Sequence, residues 1–352
     1  MGARICAPAA EGNAGILGLG TYRPRRVVDN EEACRFIDSS DAWIRRRTGI
    51  VTRHWADDDE TLEMMGEAAA SKAVAAAGID PARIDCVIAA TFTHMLQTPS
   101  AAASIAHRLG ARRAAAFDLS AGCAGFVHGV AVAADAVRSR GAHVLVVGVE
   151  RMTDLISPRD RSTAFIFGDG AGAVVVGPAA EPGIGPVVWG ADGSQAALIT
   201  QTRPWTALRD AVGKASGNPS EDSSGGSSGG AFPHMVQEGQ SVFRWAVTEM
   251  PEVGRRALAA SGLTVEDLDA FVPHQANVRI IDAIAARIGL PGTVAVARDV
   301  ARSGNTSGAS VPLAMDQLLA SGEAEAGDTA LLLGYGAGLS YAGLVVTLPG
   351  VG

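Results

Sequence analysis

Three short stretches of this chain carry residue types suited to acyl chemistry. Cys123 lies in Ser120-Ala121-Gly122-Cys123-Ala124-Gly125-Phe126, after an apolar strand and at the head of an alanine-rich helical pattern spanning Gly122 to Arg138. A helix N-terminus presents unpaired N–H groups and a partial positive charge, so a thiol placed there is biased towards thiolate. His274 lies in Val272-Pro273-His274-Gln275-Ala276-Asn277, at the carboxyl end of a short strand, Ala270 to Val272, where open α/β sheets place ligands. Asn305 lies in Ser303-Gly304-Asn305-Thr306-Ser307-Gly308-Ala309-Ser310, ahead of the apolar helix Val311 to Leu319. Taken singly, each has an ordinary reading: a buried core thiol, a surface histidine, a helix-capping cluster. Cys with His points to a thiol nucleophile, although papain-like proteases and transglutaminases use that pair too. An amide cannot take a proton, but it can donate to an oxygen that gains negative charge. His and Asn aimed at one oxygen would favour a thioester enolate, the species left when a malonyl thioester loses carbon dioxide. Such a site needs no metal or organic cofactor.

The elements that must hold these residues alternate. Strands are expected at Ile16–Gly20, Cys86–Ala90, Ala114–Leu119 and Val144–Val149, and helices at Leu62–Ala77 and Ala101–Leu109. This order predicts an α/β protein with a parallel sheet covered on both faces. The second half repeats the first. Ala77-Gly78-Ile79-Asp80 parallels Ser261-Gly262-Leu263-Thr264, Ile105 to Gly110 parallels Ile284 to Gly289, and Gly141 to Gly148 parallels Gly327 to Gly334. The separations are 184, 179 and 186 residues, as two copies of one unit with small insertions would give. The expected division is 13–180 for a half carrying the nucleophile and 181–350 for a half carrying His274 and Asn305. Within the second, 214–231 is expected to be a mobile surface loop, because Ser220 to Gly230 is nearly all Ser and Gly.

Composition narrows the function classes. A net charge of −8 argues against a general nucleic-acid binder. Cys6, Cys34, Cys86 and Cys123 show no CxxC spacing, which removes zinc-ribbon and thioredoxin-like readings and offers no disulfide framework. No apolar run is long enough for a membrane span, and residues 1–12 lack the continuous apolar stretch of a signal peptide, so a cytoplasmic protein is expected. Lys72 and Lys214 are the only lysines, so arginine carries nearly all the positive charge.

Ala116 to Phe126, Pro273-His274-Gln275-Ala276-Asn277-Val278-Arg279-Ile280 and Gly304 to Ser310, in that order, resemble β-ketoacyl-acyl-carrier-protein synthase III. Phe167 to Gly172 and Gly334-Tyr335-Gly336-Ala337-Gly338 fit the same pattern, and the likeness runs from about Gly15 to Val346. The resemblance implies a thiolase-like fold, two duplicated α/β halves in a five-layered αβαβα arrangement. It implies that Cys123 takes an acyl group from acyl-CoA, and that malonyl-acyl carrier protein is then decarboxylated beside His274 and Asn305 and condensed with it. The backbone N–H groups of Cys123 and Ala337 would form the oxyanion hole; many relatives have Gly at 337. Asn at 305 separates this pattern from chain-elongating synthases, which resemble it but carry a second His there, and from thiolases, which carry a second Cys.

By the same resemblance, Trp43, Arg47, Thr48, Arg161, Gly239 and Asn277 would contact CoA, and Arg279 and Arg287 would dock the acidic carrier protein. Trp43 offers a face for adenine, and arginine a forked donor for phosphate. Thr98 lies where some relatives place a Phe that reaches across a homodimer interface and shortens the acyl pocket. A smaller residue there is expected to admit branched or longer primers. The alternatives are a synthase that primes a polyketide, one that moves an acyl group to an alcohol or amine, and a non-catalytic partner subunit, which would lack Cys123.

Overall fold

The computed structural model describes residues 12–208 and 232–350, so the loop expected at 214–231 lies outside the described residues. Two five-stranded sheets form its frame, beside two small two-stranded ones, β2 (Arg26–Asp29) with β3 (Thr52–Trp55) and β9 (Ile199–Gln201) with β10 (Met235–Gln237). The first is ordered β1 (Asn13–Tyr22), β7 (Gly170–Ala179), β6 (Val144–Glu150), β4 (Cys86–Ala90), β5 (Ala115–Leu119). The second, read from its own outer strand, is ordered β8 (Val188–Ala191), β14 (Ser340–Thr347), β13 (Thr329–Gly336), β11 (Ala270–Pro273), β12 (Ala295–Val296). The orders correspond strand for strand. So do the helix ends: Gly78 and Gly262 both take positive φ, as do Gly110 and Gly289, both at 88°. These are left-handed stop positions, where glycine pays no Cβ penalty.

The inner strands β4, β6, β7, β11, β13 and β14 bury both faces by alternation. On β6, Val144 and Val146 face one core cluster, while Leu145, Val147 and Val149 face another. The shared central cluster joins β1, β4, β6 and β7 to β11, β13 and β14 through the helices Gly125–Arg140 and Ser310–Ser321. The helices Leu62–Ala76 and Ala101–Leu109 cover the outside of the first sheet. Gly239–Ala260 and Val278–Ile288 cover the outside of the second. The result is five layers, helix, sheet, helix, sheet, helix.

Two local expectations require correction. The sheets are mixed, not parallel: β7 runs antiparallel to both β1 and β6, and β14 runs antiparallel to both β13 and β8. A strand buried on both faces is apolar whichever way it runs, so composition did not separate the cases. The helix expected from Gly122 also begins later. Gly122–Ala124 is a 3-10 turn, and the α-helix spans Gly125–Arg140. Gly122 takes φ 53°, which lets the chain leave β5 and turn sharply into the helix.

Candidate active site

That turn presents Cys123 to the end of β13. A Cβ on Gly336 would lie 2.8 Å from the Cys123 amide nitrogen and 3.2 Å from its Sγ, so only glycine lets the two backbones meet. A Cβ on Gly122 would lie 3.1 Å from the Ala337 nitrogen. Cys123 and the Ala337 N–H are thereby brought together from opposite halves.

His274 follows β11 and is buried, with its ring edge-on to Tyr335 at 5.1 Å. Its Nδ1 lies 2.7 Å from Ser310 Oγ, which also accepts the Gln275 N–H at 3.3 Å. Ser310 has its own proton to give, and giving it to Nδ1 leaves the His274 Nε2–H as a donor. Burial pushes the imidazole down to about 3, so it is neutral near pH 7. Asn305 is held by backbone bonds, its N–H to Ile166 O at 2.9 Å and its carbonyl accepting from Gly168 N–H at 3.1 Å. Its side-chain Oδ1 accepts the Ser307 N–H at 2.9 Å, which leaves the NH₂ group to serve the cavity.

Cys123, His274, Asn305, Gly336 and Ala337 line one narrow cavity of about 40 Å³. It adjoins two larger spaces. One, of about 450 Å³, shares Phe92, Gly122, Ile199, Met235 and Ala337 with it and continues to Leu155 and Trp205. The other, of about 500 Å³, shares Gln237 with it and is lined by Trp43, Arg47, Thr48, Arg161, Gly239 and Asn277 together with Arg279. The Arg161 and Arg47 guanidinium carbons lie 5.2 and 5.8 Å from the Trp43 ring. Arg287 is not on this cleft; its guanidinium donates to Val247 O at 2.9 Å. Thr98 is exposed on a loop and lines none of these three spaces.

Two residues of the site had no role assigned from sequence. Ser307 Oγ lies 3.2 Å from Cys123 Sγ and 3.2 Å from Glu150 Oε1. Glu150 ends β6, fully buried. Its one signal in sequence was a carboxylate closing an otherwise apolar strand. These neighbours also revise the expected thiolate. Burial first, and the Glu150 charge in addition, push the Cys123 thiol up to about 12 against the Ser307 hydrogen bond. Cys123 therefore rests as a neutral thiol. Among the described residues no group of three or more His, Cys, Asp or Glu is placed to hold a metal, and no helix is long and apolar enough to cross a membrane.

The chain is 55% identical over 339 residues to the β-ketoacyl-[acyl-carrier-protein] synthase III of Streptomyces glaucescens, covering 96% of each. It belongs to the β-ketoacyl-[acyl-carrier-protein] synthase III family. The model for 3-oxoacyl-[acyl-carrier-protein] synthase III matches residues 117–193, and that for the C-terminal part of synthase III matches residues 258–348. A synthase III of Streptomyces coelicolor is 56% identical over 337 residues, again 96% of each chain. Among solved structures, the priming β-ketosynthase from the R1128 polyketide biosynthetic pathway superposes with a TM-score of 0.90 at 49% identity over all of both chains. The synthase III of Pseudomonas aeruginosa superposes at 0.85 with 36% identity, over 97% of this chain and 99% of that one. The five-layered arrangement is thus the thiolase fold, as this synthase III family builds it.

Proposed function

We propose that this chain is a β-ketoacyl-acyl-carrier-protein synthase III, an acyltransferase that condenses an acyl-CoA primer with malonyl-acyl carrier protein to begin type II fatty-acid synthesis. The observation that carries this reading is the convergence of Cys123, His274 and Asn305 on one cavity lying between a wider pocket of mixed lining and an arginine-lined cleft.

In the first stage Cys123 Sγ attacks the primer thioester. The oxyanion faces the N–H groups of Cys123 and Ala337, and CoA leaves as its thiolate. The cleft supplies the reason for CoA: the Trp43 face for the adenine and Arg47 and Arg161 for phosphates, beside Thr48, Gly239 and Asn277. In the second stage malonyl-acyl carrier protein enters, docking on Arg279, with Arg287 further along the same helix. The His274 Nε2–H and the Asn305 NH₂ donate to the malonyl thioester oxygen as it becomes an enolate, and carbon dioxide leaves. The enolate carbon attacks the acyl-Cys123, and the sulfur departs with the product a 3-oxoacyl carrier protein. Neutral His274 suits this role, because it offers a donor without the acidity that would quench the carbanion. Thioester exchange and enolate stabilisation need only N–H donors and a thiol, so no metal or organic cofactor takes part.

The primer's acyl chain occupies the 450 Å³ pocket among Phe92, Leu155, Ile199, Met235 and Trp205, which accommodates branched or longer chains as well as acetyl. The working form is a homodimer: β5 is a sheet edge with Phe117 42% exposed, and Thr98 lies near exposed Met95 and Leu96. Free Cys34, Cys86 and Cys123 suit a reducing cytoplasm. Mixing the protein with acyl-CoA and weighing it tests the first stage: an acyl adduct on Cys123 is expected, absent from Cys123→Ala, and no adduct would overturn the nucleophile. A second reading, priming of a polyketide, is favoured by the 0.90 likeness to the R1128 priming enzyme. Competition between malonylated fatty-acid and polyketide carrier proteins separates the two.

A further inference from the structure

Behind Cys123 lies a buried carboxylate that condensation, as described, leaves unused. Glu150 is fully buried at the end of β6, and its two oxygens are treated unequally. Oε2 accepts from Thr91 Oγ1 at 3.1 Å, Phe92 N at 3.3 Å, Thr93 N at 3.2 Å and Thr93 Oγ1 at 2.6 Å. The Thr93 hydroxyl already accepts the Arg151 N–H at 2.9 Å, so its own proton is free for the carboxylate. Oε1 faces Ser307 Oγ at 3.2 Å. Four donors therefore occupy Oε2 and a single hydroxyl meets Oε1, so a proton added to this carboxylate goes on Oε1.

Ser307 joins that oxygen to the nucleophile, since its Oγ lies 3.2 Å from Cys123 Sγ. It holds this place at a conformational cost. Ser307 takes φ 49°, and among the described residues it is the one non-glycine with positive φ. It occupies the first position of the 3-10 turn Ser307–Ala309, matching Gly122, at φ 53°, in the turn that carries Cys123. A side chain held in the left-handed region is strained, and glycine would avoid that cost. What serine adds over glycine here is one hydroxyl between sulfur and carboxylate.

We propose that Ser307 and Glu150 form a proton relay that takes the Cys123 thiol proton during acylation and returns it when condensation frees the sulfur. The proposal rests on Cys123 being the nucleophile. In the forward step the Cys123 S–H bond breaks and an O–H bond forms on Ser307 Oγ. At the same time the Ser307 O–H bond breaks and one forms on Glu150 Oε1. Sulfur keeps the electron pair and attacks as thiolate, and the buried site carries one negative charge before and after. Deprotonation to solvent would instead leave thiolate and carboxylate side by side, two like charges around one serine hydroxyl with no cation between them. The reverse transfer follows loss of the acyl group, when Sγ leaves as thiolate. Ser307 touches the reacting sulfur; Glu150 acts through it and is a positioning residue.

The other groups around the pair leave Glu150 without a cation. Arg151, next along the chain, pairs with Asp154 at 3.2 Å, and His274 and Tyr335 reach the cavity from the second half. Burial accordingly pushes the Glu150 carboxyl up to about 7 against its hydrogen bonds, matching a group that gains and loses a proton near neutrality.

The test is alkylation of Cys123 by iodoacetamide in the full-length protein, with the rate at that peptide followed by mass spectrometry from about pH 5 to 10. It needs no substrate, so it is separate from the acyl-adduct test of the nucleophile. The wild-type rate is expected to rise through a step near pH 7 before the final rise of direct thiol ionisation. Glu150→Gln, nearly isosteric, is expected to lose that step and to react at least about ten-fold more slowly at pH 8. Ser307→Ala is expected to lose the same step. A wild-type profile with a single inflection above pH 9 would overturn the relay, whether or not either variant folds. So would a Glu150→Gln profile that keeps the neutral step, or one lowered by the same factor at every pH.

Discussion

Asn305 Oδ1 accepts the Ser307 N–H at 2.9 Å, and that bond decides which end of the amide serves the cavity. Asn305→Asp keeps size and removes the donor, placing an acceptor where the enolate oxygen forms. Malonyl-acyl carrier protein decarboxylation is expected to fall about 100-fold or more, the usual cost of an oxyanion donor. Acylation of Cys123 should change little. Separate assays of the two half-reactions check this, and equal loss in both would argue against a role confined to the second stage.

His274 is expected to support decarboxylation at a rate that varies little from about pH 6 to 8, since burial holds its imidazole at about 3. The same burial acts on stability. The folded His274 pKa lies below its unfolded value of about 6.5, so the unfolded chain binds the extra proton between those values. Above pH 6.5 His274 contributes no pH dependence. Below it stability falls with pH, by at most about 1.4 kcal/mol per pH unit from this residue. Glu150, raised to about 7, acts oppositely, favouring the fold as pH drops from about 7 towards 4.5. Urea unfolding at pH 4 to 7 should therefore show a shallower acid loss for His274→Asn than for wild type, and a steeper one for Glu150→Gln.

Trp43→Ala and Arg161→Ala should raise KM for acyl-CoA about ten-fold while leaving acylation by a short acyl thioester without the nucleotide unchanged. The reason is that the Trp43 ring and the arginines over it lie on the cleft, away from the sulfur. The Arg161 effect should shrink at high salt, where phosphate contacts are screened. A matching loss with the truncated thioester would mean that these residues support the fold instead.

Gly336→Ala is expected to reduce acylation about 100-fold or more, because the new Cβ would meet the Cys123 amide nitrogen at 2.8 Å and push the turn away. An unperturbed far-ultraviolet circular dichroism spectrum with lost acylation would identify misplacement of the nucleophile; full activity would show that the close approach is dispensable.

The legible parts were those that leave a local mark. Cys86–Ala90 and Ala101–Leu109 have the bounds expected of them, since an apolar run and a Ser100 to Gly110 cap pair are written in neighbouring residues. The duplication was visible in three stop-and-strand patterns, and the matched strand orders agree with it. Strand direction was not legible in β7 or β14, because burial on both faces makes apolar strands alike. Arg287 shares a helix with Arg279, yet its guanidinium is turned to Val247 O. Glu150 was hidden because a single carboxylate at the end of β6 has no periodic partner; its meaning lies in Thr91, Thr93 and Ser307, each distant in sequence from it.

The sequence by itself determined the candidate residue types, their order along the chain and the two-fold repetition that frames them, because motifs and periodicity are local. Tertiary structure alone decided their chemical state. Burial keeps His274 neutral and the resting Cys123 protonated, and packing of the two halves sets Ser307 between the sulfur and Glu150. The physical reason is that protonation depends on solvent exclusion and on neighbouring charge. Both are properties of how the halves meet, and neither is carried by one segment of chain.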